Sequence, residues 1–438
     1  MHVLLIHQAF ASPGEPGGTR HYEFGLRLVR SGHRFTAVAS RISYLTGQAW
    51  PLAPRPPILG EGGTGGTDFE KAPGLRTGTA PELRVLRAYA LPVHHRSFAW
   101  RVVSFLVFMF SSTVAALRAG PLDLVMGTSP PIFQALSAWC VAVLRHRPYL
   151  LEIRDLWPEF AIAMGVLKNP FLIALSRQLE RFLYQRATHL LVNSPAYRDY
   201  LVRKGIPEAK ISLIPNGADP DAFDPDASGE PTRDRLGLHG KFVVTYAGAL
   251  GPANDIPTVL RAANRLREEP DIHFLLIGDG KERAELEAAA QQLALANVTF
   301  AGPRPKSEMP EALAASDACI AILRDIPMFR TTYPNKVFDY MAAGRPTILA
   351  IDGVIREVLD DAGGGIFVPP GDDGALAEAV RTLSRDHPRA RAMGQSARHF
   401  VAEHFNRHEQ AARFEELALG LARSESFQLQ DWAPGGAP

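Results

Sequence analysis

Apolar residues fall along this chain in short unbroken runs, separated by stretches in which they recur at helical spacing. Residues 3–6, 35–39, 123–126, 149–153 and 189–192 are such runs, suited to strands buried on both faces. Residues 22–31 carry the helical interval and end at Gly32, so the chain opens as strand, glycine-containing loop, helix and strand. Pro215-Asn216-Gly217 breaks the pattern, and polar sequence follows to Gly240. The alternation restarts with runs at 242–246, 273–277, 298–300, 319–322, 347–350 and 365–368. The pattern predicts two α/β units, each an open, mostly parallel, doubly wound sheet of the Rossmann kind. Residues 1–217 form the first and 218–404 the second. The helical stretch 390–423 is long enough to return to the first unit, and 405–438 is read as a C-terminal helix packing back on that unit, followed by a frayed tail.

Two segments depart from this rhythm. Residues 47–80 are dense in proline and glycine with no usable period, which predicts a mobile insertion, whether disordered or serving as a lid or acceptor-contacting loop. Residues 98–117 are the most apolar long stretch, flanked by His94, His95, Arg96 and Arg118. The uninterrupted apolar part is shorter than a bilayer crossing needs, so the expectation is a helix with a buried face and partial contact with a membrane surface.

Composition narrows the class. The 438 residues exceed one ordinary core, 46% hydrophobic and 21% charged residues describe a globular protein, and a net charge of +1 argues against a dedicated nucleic-acid binder. Cys140 and Cys319 lie far apart in apolar runs, which excludes a disulfide framework and a cysteine metal site. The first residues, MHVLLIHQAF, lack the basic and long apolar regions of a signal peptide, so a cytoplasmic location is expected.

The stretch 333–346, YPNKVFDYMAAGRP, carries the most chemistry. Asn335 is read as an N-cap, and Gly344 with Pro346 as the stop of a short helix. Its first turn offers unpaired N–H groups and the positive end of the helix dipole beside Lys336 and Arg330, a place for an anion. A nucleotide-sugar diphosphate fits, with Asp339 placed to accept hydrogen bonds from ribose hydroxyls.

Ligands of open α/β sheets bind at the carboxyl ends of the strands, so two facing sheets define a cleft. Its expected lining is the Gly17-Gly18 loop, the loop of Ser129 and the run Arg154, Asp155 to Glu159 from the first unit. The second contributes Gly248, Gly278-Asp279-Gly280 and Arg304. Glycines at 278 and 280 suit a backbone that passes close to a ligand. Neither unit begins with G-x-G-x-x-G, which removes the dinucleotide fingerprint, and no metal-ligand spacing is present. Neither a metal nor a cofactor is expected.

In order and spacing, GHRFTAVAS, IPNGAD, FLLIGDG, NVTFAGPRP, PNKVFDYMAAGRP and GGGIFVPPGDDGALAEAV resemble the retaining, nucleotide-sugar-dependent glycosyltransferases of family four, whose fold is GT-B. With RDLWPE, the chain is most similar to the branch that builds bacterial O-antigen, capsule and exopolysaccharide and includes N-acetylfucosamine transferases. The resemblance places the family's paired glutamates at Thr331 and Asp339, so the ribose-holding acid is kept as aspartate and the sugar-contacting one is missing. The family's arginine and lysine after the first strand of the second domain fall on Ala249 and Asn254, and its His-Asp pair on Arg154-Asp155.

The resemblance thus implies transfer of a sugar from a nucleoside diphosphate, UDP being expected, to a hydroxyl of a saccharide. That acceptor is expected to be linked to polyprenyl diphosphate at the inner face of the cell membrane, with the enzyme held there peripherally. Lys336 and Arg330 would stabilise the leaving diphosphate, with Arg154 and Asp155 acting at the reacting centre and Asp155 orienting the acceptor. Arg20, Ser129 and Glu159 would contact the acceptor, while Gly17, Gly18, Gly248, Asn254, Gly278, Asp279, Gly280, Arg304 and Asp339 would line the donor site. Two other classes share these features: a nucleotide-sugar epimerase and a non-catalytic nucleotide-sugar-binding protein. A dehydrogenase is more remote.

Overall fold

The computed structural model describes residues 1–11, 18–42, 81–92, 98–224 and 226–423. Gly17, the insertion at 47–80, the His94 to Arg96 flank and the tail from 424 lie outside them. Parallel β-structure needs long crossovers, and the apolar runs with helices between them supply these.

The first sheet has seven strands in the order β3-β2-β1-β4-β5-β6-β7, all paired in parallel. They are β1 (His2–Ile6), β2 (Arg34–Ser40), β3 (Glu82–Ala88), β4 (Leu124–Ser129), β5 (Tyr149–Ile153), β6 (His189–Val192) and β7 (Ile211–Leu213). Every residue of β1, β4, β5 and β6 is buried, as continuous apolar strands demand.

The second sheet has six strands, β10-β9-β8-β11-β12-β13, again all parallel. These are β8 (Phe242–Ala247), β9 (Ile272–Ile277), β10 (Val298–Gly302), β11 (Ala318–Ile322), β12 (Thr347–Ala350) and β13 (Gly365–Phe367). The two-sheet architecture expected from the pattern is therefore present. Two strands escaped it. β3 is a half-buried edge strand with Glu82, Arg84 and Arg87 among its seven residues, and β7 has three residues. Neither has the length or continuity of a central strand.

The segment 390–423 is two helices, α14 (His387–His404) and α15 (Arg407–Ala422), rather than one. Asn406 caps the second by accepting from the His408 N–H at 2.9 Å. As expected, the last helix returns to the first sheet's layer. Phe414 stacks on Phe24 of α1 (Arg20–Arg30) at 4.3 Å between ring centres, and Arg27 Nε lies 2.6 Å from Glu415 Oε2.

Helix α2 (Phe98–Ala116) has one buried and one exposed face. Ser104, Phe108, Ser112 and Ala116, at four-residue intervals, are buried against the first core, whereas Trp100, Val103, Phe110 and Val114 are exposed. Among the described residues no helix is long and apolar enough to cross a membrane.

The sheets meet with their carboxyl edges facing. Ser194, at the start of α6 (Pro195–Arg203), donates to the Thr331 carbonyl at 2.6 Å, and Asn216 Nδ2 to the Tyr333 carbonyl at 2.7 Å. Phe160 packs on Phe329 with ring centres 5.7 Å apart. The chain crosses between the sheets at 217–219 and again at 405–407, and these crossings are bonded together. Ala218 N–H donates to the Phe405 carbonyl at 3.2 Å, and Arg407 N–H to the Ala218 carbonyl at 2.9 Å.

Candidate active site

The wall from the second sheet is built around α11 (Asn335–Ala342). Its cap is Pro334, not Asn335, because the proline already holds the extended backbone of a cap and Asn335 takes the first helical position. Asn335 instead reaches toward the first domain: a Cβ added to Gly18 would lie 4.0 Å from Asn335 Nδ2. Gly18 and the start of α11 thus face each other across the cleft.

Lys336 points back to the end of β8. Its Nζ donates to the Tyr246 hydroxyl at 2.8 Å and to Asn254 Oδ1 at 3.0 Å, and lies 4.2 Å from the centre of the Tyr246 ring. Among the described residues no carboxylate pairs with it. Burial pulls its pKa down to about 7. An ammonium held by neutral oxygens and an aromatic face is a cation without a counter-anion, which is what an anionic ligand requires.

Gly278 and Gly280 are explained by close approach of backbones. A Cβ at Gly278 would lie 1.8 Å from the Gly248 carbonyl oxygen, and one at Gly280 would lie 2.3 Å from that of Leu250. Their glycines let the loops after β8 and β9 stack beside Lys336. Asp279 turns its Oδ1 onto the Gly280 N–H at 2.8 Å. Asp339, one turn into α11, is not bare: Lys306 Nζ sits 2.5 Å from its Oδ2.

The wall from the first sheet is a buried polar cluster. Glu152 of β5 accepts from Arg20 Nε at 3.0 Å, from His21 Nε2, and from Thr128 Oγ1 at 3.2 Å. Burial would raise the Glu152 carboxyl, but His21, Arg20 and Arg154 outweigh it and hold it below the usual range. Arg154 donates to Thr128 Oγ1 at 2.9 Å and to the Pro130 carbonyl at 3.2 Å. His7, just after β1, has both ring nitrogens buried without partners among the described residues, and burial keeps its pKa well below the ordinary value. Asp155 follows Arg154 directly in the chain. Its desolvation, only partly offset by Arg154, pushes its pKa up to about 6.

Several expected site residues are engaged otherwise. Arg20 is 6% exposed and spends its guanidinium on Glu152 and on the carbonyls of Ile214 and Pro215, both at 2.6 Å, so it ties the sheet to the crossing chain rather than presenting a charge to an acceptor. Glu159 is clamped by Arg177 at 2.8 and 3.0 Å. Arg304 pairs with Glu308 at 3.2 Å. Arg330 lies 3.5 Å from Asp325 and 3.9 Å from Asp352, so its charge is shared with two carboxylates. Ser129 is buried at the end of β4. Thr331 closes its hydroxyl onto the Met328 carbonyl at 2.6 Å.

Sequence reasoning passed over Lys306, Tyr246, His7, His21 and Glu152. An ionisable residue inside an apolar run was the available signal for Glu152, and a histidine closing a strand for His7. Nothing local marked Lys306 or Tyr246.

Two facing parallel sheets joined by a returning helix, with a cleft at their carboxyl edges, define the GT-B architecture. Over residues 17–217 the chain matches the model described as glycosyl transferase 4-like domain, and over 241–386 that of glycosyl transferases group 1. The chain belongs to the family-four glycosyltransferases, a retaining class that works without a metal. Among curated relatives, the putative colanic acid biosynthesis glycosyl transferase WcaI of Escherichia coli (strain K12) is 26% identical over 255 residues, which is 57% of this chain and 62% of that one. The chain spans 57–62% of the first curated relatives it matches. Sucrose-phosphate synthase from Thermosynechococcus elongatus superimposes with a TM-score of 0.73 at 20% identity, covering 97% of this chain and all of that one. HepE of Anabaena in complex with UDP-glucose gives 0.68 at 16% identity, covering 96% and 100%. These two likenesses concern the fold.

Proposed function

We propose that this protein transfers a sugar from a nucleoside diphosphate, UDP in the first instance, to a hydroxyl of a saccharide acceptor with retained anomeric configuration. The observation that carries the reading is Lys336, a desolvated ammonium beside Gly248 with no carboxylate partner among the described residues. As the bond to the anomeric carbon breaks, negative charge grows on the diphosphate, and a fixed cation stabilises it more than it stabilises the donor. Residues 218–404 hold the donor and 1–217 the acceptor. Asp155 orients the attacking hydroxyl, whose proton passes to a donor phosphate oxygen on the same face.

The acceptor is a polyprenyl-diphosphate-linked saccharide, and the product enters a cell-surface polysaccharide. The name of the relative from Escherichia coli, which refers to colanic acid, supports that assignment. So does the exposed apolar face of α2, together with Phe171, Leu172 and Leu175 at the start of α5 (Pro170–Arg186), a surface that suits peripheral binding at the inner face of the cell membrane. A panel of nucleotide-sugars, assayed for UDP release with and without a lipid-linked acceptor, tests the whole reading. Acceptor-dependent release supports it. Conversion of the free sugar nucleotide without acceptor would indicate an epimerase, and binding without turnover a non-catalytic protein.

A further inference from the structure

The first sheet reverses its strand order at β1: β2 and β3 lie on one side of it, and β4 to β7 follow on the other. Open α/β sheets bind ligands in the crevice at such a switch point, outside the carboxyl ends of the strands. Thr128 and Ser129 end β4 there, and Arg154 leaves the end of β5 beside them, its N–H bonded to the Ser129 carbonyl at 3.0 Å. The guanidinium turns back over this loop, giving Nε to Thr128 Oγ1 at 2.9 Å and Nη2 to the Pro130 carbonyl at 3.2 Å. Gln134, in the first turn of α3 (Ile132–Arg145), fixes the same loop by donating to the carbonyls of Thr128 at 2.7 Å and Pro130 at 3.0 Å. Arg154 therefore rests on a rigid support.

Both of its partners are neutral oxygens. Arg154 is partly exposed, and among the described residues its Nη1 has no partner and no carboxylate comes within ion-pair distance of it. The buried carboxylate of this edge, Glu152, is already bonded to Arg20, His21 and Thr128. Asp155, next in the chain, feels the charge of Arg154 without pairing with it. A partly desolvated guanidinium held by neutral groups attracts an anion, and its open planar edge of N–H groups matches a phosphate. The donor diphosphate is assigned to Lys336, on the wall of the second sheet. Arg154 stands on the wall of the first, where the acceptor is held.

We infer that Arg154 is an anion-binding residue for the acceptor: its open edge holds a phosphate of the lipid-linked saccharide, while Asp155 meets a hydroxyl of the sugar that bears that phosphate. The inference rests on the glycosyl-transfer reading above. The two side chains leave neighbouring Cα atoms, about 3.8 Å apart, so phosphate and accepting hydroxyl belong to one sugar. The enzyme then extends the sugar joined directly to the diphosphate, not the far end of a long saccharide. A neutral glycoside of the same sugar leaves the guanidinium without an anion and binds more weakly.

Calorimetry on the full chain saturated with UDP, titrated with geranyl diphosphate and with geraniol, tests the anion site while the donor site is filled. The wild type should bind geranyl diphosphate at least about tenfold more tightly than geraniol, and Arg154→Gln should remove that difference. Arg154→Lys, which keeps the charge and loses the planar edge, should retain part of it. UDP affinity, titrated separately, should stay within about twofold of wild type in Arg154→Gln. A larger drop would give the guanidinium to the donor and overturn the inference, as would a wild type that binds geraniol and its diphosphate alike. The acceptor found by the panel above, compared as its lipid diphosphate and as an alkyl glycoside, checks the placement. The wild-type KM should be about tenfold lower for the diphosphate, and the two values should converge in Arg154→Gln. Equal wild-type values would overturn the placement of the phosphate beside the accepting sugar. Should the glutamine variant fail to fold, an undiminished preference in Arg154→Lys decides against the inference. Failure of the wild type to bind UDP, or to release it in response to any acceptor, would instead remove the reading on which the inference stands.

Discussion

The ammonium of Lys336 stands 3.0 Å from the side-chain oxygen of Asn254. At position 254 the family resemblance calls for a lysine, and this chain has none there. A cation nevertheless reaches that spot, from the first turn of α11 instead of the loop after β8.

Lys336→Ala should therefore weaken donor binding by tenfold or more, since a charge-assisted contact to phosphate is worth roughly 1.5–3 kcal/mol. Because the free lysine titrates at about 7, the protonated form that binds the diphosphate is lost as pH rises. UDP affinity should fall by up to about tenfold per pH unit above neutrality until the pKa of the complex is reached. Lys336→Arg should flatten that slope. Calorimetry from pH 6.5 to about 8.5 measures both, and a slope shared by the arginine variant would assign the titration to another group.

Asp155 should lose its ionised form as pH drops through about 6. With Asp155 orienting the acceptor hydroxyl, kcat should decline on that acid limb and recover above it. Asp155→Asn should cut kcat by roughly 100-fold and remove the limb, with UDP affinity unchanged. An acid limb that persists in the asparagine variant would place the titrating group elsewhere.

Arg20 is a structural prediction. Removing one partner of a buried ion pair costs about 3–5 kcal/mol, because the other charge is stranded. Arg20→Met should therefore lower stability in urea by about that amount and leave the acceptor KM of the folded fraction near the wild-type value. Unchanged stability with a raised KM would return Arg20 to the acceptor site.

The structure separates the phenylalanines of α2. Phe108 is 1% exposed and belongs to the core, while Phe110 is 68% exposed. Trp100→Ser combined with Phe110→Ser should reduce partitioning onto anionic vesicles by tenfold or more, given roughly 1.5–3 kcal/mol for each large side chain transferred. The melting temperature and UDP affinity should stay near wild type. Equal vesicle binding by the parent and the double variant would leave this face as ordinary surface.

Much of the fold was legible because a strand buried on both sides cannot carry polar residues often, so β1, β4, β5, β8 and β11 announce themselves. The edge strand β3, with charges along it, has no such signature. Phe405-Asn406, between α14 and α15, lacks both glycine and proline, and only the cap at Asn406 marks the break locally. The candidate site was legible where its groups share one helix, as Lys336 and Asp339 do. It was illegible where a charge is satisfied from afar: Arg20 and Glu152 are separated by 132 positions. Nothing near Arg20 says that its guanidinium is already taken.

The two chain crossings near Ala218 and Arg407 are pinned to each other by backbone hydrogen bonds. A pair of independent tethers would let one half of the molecule slide past the other. Tethers fastened side by side act instead as a single pivot, and the freedom left is rotation about it. Gly18 and Asn335 meet on opposite sides of the cleft, so such a rotation alters the gap between them. The width of the whole cleft is then set by one angle, not by separate movements of its two walls.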